Sequence, residues 1–322
     1  MAGLVLGPDG PLWMGARGVR RMGTTDPVTT RDRWHLGSNT KAMTAALYGR
    51  LVDQGKAEWG ATLSALLPDM TMDPAWRDVT IEAVMGHVAG LTDEPAMGQA
   101  WLETARSDPR SLPAQRRALA ETMLGVASAG TPGAFDYANA NYVLIGAVIE
   151  HITGRAWEDV IRTEMFAPLG ITSGGFGAPV GEQPWGHLEG TAIAPDDPGS
   201  DNPRAMGPAG TIHLTLADYA RFLGEFFNHA SDWLTPTTRA VLMQPVGSGA
   251  PQYAGGWIVV DGQPWAEGPA LTHDGSNTLW YTSAWVAPGV GRAFVAVSND
   301  GEKGGPACQD LITALIRALT DG

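Results

Sequence analysis

Cysteine is nearly absent from this sequence, since Cys308 is the only one among 322 residues. A single cysteine excludes a disulfide within the chain and a zinc site built from cysteines, and we expect it to be a small buried residue of a helix. No apolar run approaches the ~18 residues that span a bilayer, and the first residues carry no export signal. The sequence predicts a cytoplasmic protein without a membrane span, or a periplasmic one if the start of the chain is trimmed.

Basic residues are scarce as well. The sequence has 21 Lys and Arg against 34 Asp and Glu, a formal charge of −13, and the basic residues form no run. Because binding to phosphate groups depends on clustered positive charge, nucleic acid and anionic membrane surfaces are disfavoured as partners. The lysines are few enough that one with a chemical role should stand out: Lys41, Lys56 and Lys303.

Several signatures of catalytic sites are missing. The sequence has no Gly-x-Ser-x-Gly elbow and no Walker phosphate loop. Five of its seven histidines lack metal-ligand spacing such as His-Glu-x-x-His. Neither a metal nor a cofactor is therefore predicted. These histidines are interpreted as structural or surface residues: His87, His151, His187, His213 and His229.

The order of predicted elements indicates an α+β fold with one antiparallel sheet assembled from both ends of the chain and helices on its faces. We expect a sheet domain at 1–68 and 228–322 and an inserted helical domain at 69–227. Residues 174–208, rich in Gly and Pro, are interpreted as an ordered surface loop or lid, with a flexible linker as the alternative. Apolar periodicity predicts helices at 39–54, 81–85, 114–126, 142–152, 156–166, 216–227 and 308–319, and strands at 3–6, 12–18, 253–260, 271–274, 279–286 and 292–298.

Two side chains near the start of the first helix form a candidate catalytic pair. Ser38 and Lys41 are three residues apart, and residues at this spacing are neighbours on one face of a helix. A lysine shielded from water can lose its proton and act as the base that activates a serine nucleophile. A surface lysine on an amphipathic helix is the alternative interpretation.

Two further short motifs occur in the chain. Tyr137-Ala138-Asn139 lies in the middle, and His273-Asp274-Gly275 lies on a predicted strand near the C-terminus. Each of these motifs, like Ser38-x-x-Lys41, is short enough to arise by chance. The interpretation therefore rests on the order of the three motifs along the chain.

In that order the motifs resemble those of the serine β-lactamase and penicillin-binding-protein-like superfamily, and most of all its branch of class C β-lactamases, DD-peptidases and family VIII carboxylesterases. The resemblance covers nearly the whole chain and implies the β-lactamase/DD-peptidase-like fold. Besides the motifs, it extends over blocks at 34–68, 79–91, 132–154, 168–170 and 209–223.

The resemblance also implies roles for individual residues. Ser38 would be the acylated nucleophile, Lys41 would help to deprotonate it, and Tyr137 would carry a proton to the leaving group. Asn139 would orient Lys41 or the substrate. The backbone N–H groups of Ser38 and Ser276 would form the oxyanion hole. Which of Lys41 and Tyr137 is the first base stays open.

The third motif departs from the pattern of the penicillin-recognising relatives, which carry a basic residue, then Thr or Ser, then Gly. His273 is a weaker cation than lysine, and Asp274 would repel a substrate carboxylate. The alternative is that Asp274 points away from the cleft, because neighbouring residues of a strand face opposite sides. Gly275 completes the motif as in the relatives.

These residues predict a serine hydrolase that acts on small esters as a carboxylesterase. The alternatives are a DD-peptidase or D-aminopeptidase-like amidase, a β-lactamase, and a sensor that is acylated without turnover. The partner is a small ester or amide, and the sequence does not predict the oligomeric state. Three tryptophans are expected near the cleft: Trp185, Trp257 and Trp280.

Overall fold

The structure is a computed structural model and describes residues 1–227 and 231–320. His229 and the first residues of the predicted segment 228–322 lie outside the described residues. Within the described part of the chain, no helix is both long enough and apolar enough to cross a bilayer.

Strands from the two ends of the chain form one antiparallel sheet, as predicted. Its order is β2-β1-β11-β10-β9-β8, and β1 pairs with β11 from Ala2↔Val297 to Leu6↔Ala293. All residues of β1 are buried, which is typical of a strand covered by helices on both faces of its sheet. The strands of this sheet and of two smaller ones are β1 (Ala2–Gly7), β2 (Gly10–Ala16), β3 (Arg33–His35), β4 (Gly175–Phe176), β5 (Gly186–Leu188), β6 (Thr191–Ile193), β7 (Ile212–Thr215), β8 (Ile258–Val260), β9 (Ala270–Ser276), β10 (Tyr281–Ala287) and β11 (Arg292–Ser298).

Two buried helices form the centre of the molecule. α1 and α6 contact each other, and eleven of the 14 residues of α1 are buried. α11 packs on β10 and β11 and contains Cys308, which is buried as expected. The helices are α1 (Thr40–Asp53), α2 (Leu63–Leu66), α3 (Ile81–Met85), α4 (Gln99–Ala105), α5 (Leu112–Leu124), α6 (Asn139–Thr153), α7 (Trp157–Ile161), α8 (Gly207–Gly210), α9 (Leu216–Gly224), α10 (Pro236–Met243) and α11 (Gly304–Thr320).

The division into a sheet domain and a helical insert at 69–227 stays a prediction. α9, which this division assigns to the insert, contacts β1 and β11 of the sheet. Thr215 caps α9, since its hydroxyl accepts a hydrogen bond from the Asp218 N–H. In a capping box the Asp218 side chain would in turn accept from the Thr215 N–H. Here its carboxylate instead accepts from the backbone N–H groups of Thr172 and Ser173.

Some short elements differ from the sequence prediction. The strand predicted at 253–260 is confined to Ile258–Val260, and α4 and α10 were not predicted. Residues 174–208 form an ordered segment containing β4 and the β5–β6 hairpin. β4 joins β3 and β7 in a second, three-stranded sheet, whose strands are too short to give a periodic signal.

Candidate active site

Ser38 lies in a single 3-10 turn, Gly37–Asn39, that leads directly into α1. Gly37 has a φ of +52°, and a Cβ there would lie 2.4 Å from the backbone nitrogen of Ser276. A Cβ on Gly275 would lie 2.0 Å from the Leu36 carbonyl oxygen and 2.8 Å from the Ser38 nitrogen. Two glycines therefore let the Ser38 turn and β9 meet backbone against backbone. This contact brings the amides of Ser38 and Ser276 to one place.

The side chain of Asn39 fixes the same turn to the sheet. Its amide nitrogen donates to the Leu36 and Thr282 carbonyl oxygens, both at 3.3 Å, and its oxygen accepts from the Tyr219 hydroxyl at 3.0 Å. The nucleophile is therefore held by hydrogen bonds to β10 and α9.

Lys41 is fully buried and its amine touches Ser38. Nζ lies 3.1 Å from Ser38 Oγ, 2.8 Å from Asn139 Oδ1 and 2.8 Å from the Ala209 carbonyl oxygen. Burial lowers the pKa of Lys41 to about 7, although the nearby carboxylate of Asp93 acts in the opposite direction. The amine is therefore partly neutral near pH 7.

As an ammonium, Lys41 can donate to all three oxygens, and its neutral form can make the same three contacts. A neutral amine has two N–H donors and one lone pair, whereas an ammonium has three donors and no acceptor. Asn139 Oδ1 and the Ala209 carbonyl can only accept, so they take the two donors. The lone pair is then directed at the Ser38 hydroxyl, the arrangement required of a general base.

Tyr137 lies on the other side of the nucleophile. Its hydroxyl lies close enough to Ser38 for the serine to lower the pKa of Tyr137, against the larger effect of burial, and its ring centroid lies 4.9 Å from Lys41 Nζ. Burial of the hydroxyl raises the pKa of Tyr137, so the phenol keeps its proton and can donate it. The ring itself is 39% exposed and lines the cavity in front of Ser38.

Asp93 positions the Tyr-x-Asn segment and was not predicted. Its carboxylate accepts from the Ala140 N–H at 2.8 Å and from Asn139 Nδ2 at 3.4 Å. It therefore caps the first turn of α6 and turns the oxygen of Asn139 towards Lys41. In the sequence Asp93 is one of 34 acidic residues, and no local pattern distinguishes it.

His87 packs beneath Tyr137 and is buried, in keeping with a structural histidine. The two rings lie 4.5 Å apart, and Nδ1 lies within 3.3 Å of two donors, the Ala138 N–H and Asn141 Nδ2. Burial lowers the pKa of His87 well below its usual value. The neutral ring thus supports Tyr137 without adding charge to the site.

His273 lies at the site but does not present a positive charge to it. Nε2 lies 2.9 Å from the Tyr253 hydroxyl, and Nδ1 lies 2.6 Å from the Asp274 carbonyl oxygen. Burial lowers the pKa of His273 to about 3. The expectation of a weak cation is therefore replaced by a neutral ring whose two nitrogens are both occupied.

Asp274 faces the opposite side of β9 from His273, but it still reaches the cavity. Its two oxygens accept from Gln309 Nε2 on α11, each at 3.1 Å. The side chain is exposed and lines, together with Ser38 and Tyr137, a cavity of about 460 Å³. A carboxylate therefore contributes to the wall of the candidate active site.

The tryptophan in this cavity is one that the sequence did not indicate. Trp285 lines the cavity, whereas Trp257 and Trp280 are buried in the core and Trp185 contacts Arg21. As to metals, no three His, Cys, Asp or Glu side chains of residues 1–227 and 231–320 converge as ligands.

The close contact between β9 and the Ser38 turn gives a prediction. Replacing Gly275 by alanine should force these two backbones apart, because the added Cβ meets the Leu36 carbonyl and the Ser38 nitrogen. We expect kcat/KM for an ester to fall by about 10²- to 10³-fold, the loss typical of one oxyanion donor. Gly224→Ala is the matched control, since a Cβ there meets nothing within 4 Å. A folded Gly275→Ala enzyme that kept a tenth of wild-type activity would contradict the oxyanion role.

Comparison with known proteins gives a consistent result. A family model described as Beta-lactamase matches residues 1–318. The chain is 28% identical to Penicillin-binding protein 4 of Amycolatopsis lactamdurans, over 93% of this chain and 81% of that protein. It spans less than half the length of some other curated proteins that it matches.

Two solved structures have the same fold. The penicillin binding protein from Bacillus halodurans has a TM-score of 0.79 at 20% identity, covering 98% of this chain and 95% of that one. A D-stereospecific amidohydrolase from Streptomyces sp. has a TM-score of 0.75 at 22% identity, covering 97% and 92%. At such identities the likeness concerns the fold.

Proposed function

This chain belongs to the Beta-lactamase family of serine hydrolases, and on that premise we propose that it cleaves small carboxylic esters through an acyl-enzyme formed on Ser38. The preference for esters is inferred from His273 and Asp274, the first two residues of the His-Asp-Gly motif. The ring of His273 is neutral, and the carboxylate of Asp274 lines the cavity. A substrate that bears a carboxylate would meet a like charge there, whereas a neutral ester would not.

In the first step, the neutral amine of Lys41 accepts the proton of Ser38 as Oγ attacks the ester carbonyl. Support for Lys41 as the first base comes from its pKa of about 7 and its 3.1 Å contact with Oγ. The phenol of Tyr137, whose pKa is raised, keeps its proton and is therefore a poor base. It can donate this proton to the leaving alkoxide and regain one from the Lys41 ammonium, which returns Lys41 to its neutral form. The backbone amides of Ser38 and Ser276 would stabilise the tetrahedral oxyanion.

In the second step, water attacks the acyl-enzyme and gives up its proton to the same base. The carboxylic acid leaves, and Ser38 recovers its proton, so one ester and one water yield one acid and one alcohol. Asn139, held by Asp93, keeps Lys41 directed at Ser38 through both steps.

An amidase for substrates with a free amine is the second candidate. The same Asp274 carboxylate that repels an anion would attract an ammonium group. A β-lactamase and a sensor that is acylated only once remain as alternative outcomes of the test.

A panel of four substrates tests the proposal: 4-nitrophenyl acetate, nitrocefin, a peptide ending in D-alanyl-D-alanine and a D-amino-acid amide. We expect continuous turnover of the ester, with kcat/KM at least about 100-fold above that for nitrocefin; two like charges in a cleft cost up to a few kcal/mol. Comparable rates for nitrocefin and the ester would overturn the preference. A single stoichiometric burst of nitrophenol would indicate a sensor, and faster amide turnover would indicate the amidase.

Charge removal provides the internal control. Asp274→Asn is expected to raise the rate with nitrocefin several-fold and to change the rate with the neutral acetate little. Asp310→Asn, an exposed carboxylate on the same helix as Gln309, should leave both rates unchanged.

A further inference from the structure

A second cavity adjoins the one that contains Ser38. We name the cavity of about 460 Å³ lined by Ser38, Tyr137 and Asp274 the catalytic cavity, and the cavity of about 640 Å³ lined by Trp265, Ile312 and Ile316 the distal cavity. Both volumes lie in the range of roughly 300–1,000 Å³ found for small-molecule pockets. Trp285 and Gln309 line both cavities, so these two side chains form the boundary between them.

The sheet explains why the two cavities are adjacent. β8 pairs with β9 only at Ala270–Thr272, and among the described residues no strand pairs with the same edge of β9 beyond Thr272. Ser38 lies against β9 at Gly275 and Ser276, beyond the last residue with which β8 pairs. Thr272 and Asp274, which project from the face of β9 opposite to His273, line the catalytic cavity. A ligand at Ser38 can therefore extend over the open edge onto the face covered by α11.

The distal cavity has the chemistry of a site for an apolar group. Trp265 and Trp285 meet edge to face, with ring centroids 5.9 Å apart, and Ile312 and Ile316 of α11 form the opposite wall. Gln263, Thr313 and Arg317 are the polar residues around this wall.

The indole nitrogen of Trp285 adds a polar feature to the boundary. Among residues 1–227 and 231–320 this nitrogen is buried without a hydrogen-bond partner, whereas that of Trp265 donates to Gln263. Buried indole N–H groups usually have a partner, so this donor is unsatisfied although it is closed to solvent.

Gln309 is held in place at the boundary. Its Nε2 donates to both oxygens of Asp274 and to Ser283 Oγ at 3.2 Å. This bridge fixes α11 against β9 and β10 at the boundary between the cavities.

We propose that the distal cavity binds the far end of a medium-length alkyl or aryl group of the substrate ester. This inference rests on the proposed function and specifies its substrate class: esters with an extended apolar group rather than acetates. A methylene moved from water into apolar surroundings improves binding by about fourfold. A chain that passes Trp285 and Gln309 should therefore gain substantially in kcat/KM.

The test compares chain length on each side of the ester bond. One arm uses the 4-nitrophenyl esters of acetic, butyric and octanoic acids, and the other uses butyl and octyl acetate followed by acid release. In one of the two arms, we expect kcat/KM for the eight-carbon ester to exceed that for the four-carbon ester of the same arm at least tenfold. The arm that shows this gain identifies whether the acyl or the alcohol group occupies the distal cavity. No gain with length in either arm would overturn the proposal.

Two neighbouring positions on α11 supply a matched pair of variants. Thr313 is exposed and lines the distal cavity, and Ala314 is exposed and lines neither cavity. Thr313→Trp should fill the cavity and abolish the gain with length while the acetate rate stays within about twofold. Ala314→Trp should keep the gain. A gain that survives Thr313→Trp would also overturn the proposal.

A failure of the proposed esterase activity can be distinguished from a failure of the proposed distal binding site. If acetates are not hydrolysed, binding of octan-1-ol to the Ser38→Ala protein, followed by calorimetry, still tests the distal cavity. Binding that Thr313→Trp removes and Ala314→Trp retains would support the cavity in the absence of esterase activity, and no binding would overturn it.

Discussion

Ser38→Ala is expected to lower kcat/KM for 4-nitrophenyl acetate by about 10⁴-fold or more, because it removes the atom that forms the acyl-enzyme. The fold should be preserved. The Ser38 hydroxyl contacts Lys41 and Tyr137 within the site, and the turn is held by its backbone and by Asn39. We expect the thermal midpoint to stay within a few degrees of wild type, a shift that corresponds to about 1 kcal/mol.

Ser276→Ala is the control for the loss of a hydroxyl near the site. Its Oγ donates to the Trp280 carbonyl oxygen at 2.8 Å, and the proposed mechanism uses only its backbone amide. This variant should keep most of its activity. The direct readout is the intact mass after treatment with a fluorophosphonate, which should increase for wild type and Ser276→Ala only. Labelling of Ser38→Ala at the wild-type rate would identify another nucleophile.

Lys41→Met is expected to lower kcat/KM by about 10²- to 10⁴-fold, the usual contribution of a general base. The pH profile gives the mechanistic readout. Because the neutral amine is the active form and the pKa of Lys41 is about 7, the wild-type rate should fall about tenfold per pH unit below 7 and level off above it. This limb should be missing in Lys41→Met.

The free energy of unfolding should also depend on pH through the titration of Lys41. The unfolded chain keeps the Lys41 proton up to its usual pKa of 10.5, whereas the folded protein releases it near 7. Between these values the unfolded state binds more protons, so this group makes the free energy of unfolding rise with pH. Lys56→Met is the control, since Lys56 is exposed and should alter neither profile. A limb near pH 7 that persists in Lys41→Met would assign the base to another residue.

The elements that could be predicted are those whose burial is regular along the chain. β11 and α3 were predicted at their observed bounds, and α1 to within a residue. A continuous apolar run marks β11, and apolar residues at helical spacing mark the two helices. β3 and β7 show no such pattern and were not predicted. Each has only three or four residues, and their stability comes from pairing Trp34 with Leu214, far away in the sequence.

The same distinction applies to the site. The proximity of Ser38 and Lys41 follows from local helical spacing. The third contact of Lys41 is the carbonyl of Ala209, and a backbone acceptor leaves no trace in the residue type. The lowered pKa of His273 depends on burial and on the nearby charge of Lys41, which comes from another segment of the chain. Titration behaviour of this kind is a property of the assembled interior.

The sheet that joins both ends of the chain also determines when the site can assemble. The hydrogen bond from Asn39 to the Thr282 carbonyl links residues 243 positions apart, and β1 pairs with a strand near the other end of the sequence. Long-range pairings of this kind form late and slowly in folding. During synthesis, the emerging chain carries Ser38 and Lys41 on α1 long before β9 and β10 exist. The nucleophile therefore acquires its oxyanion partner, and with it the capacity to react, only after β9 and β10 have left the ribosome.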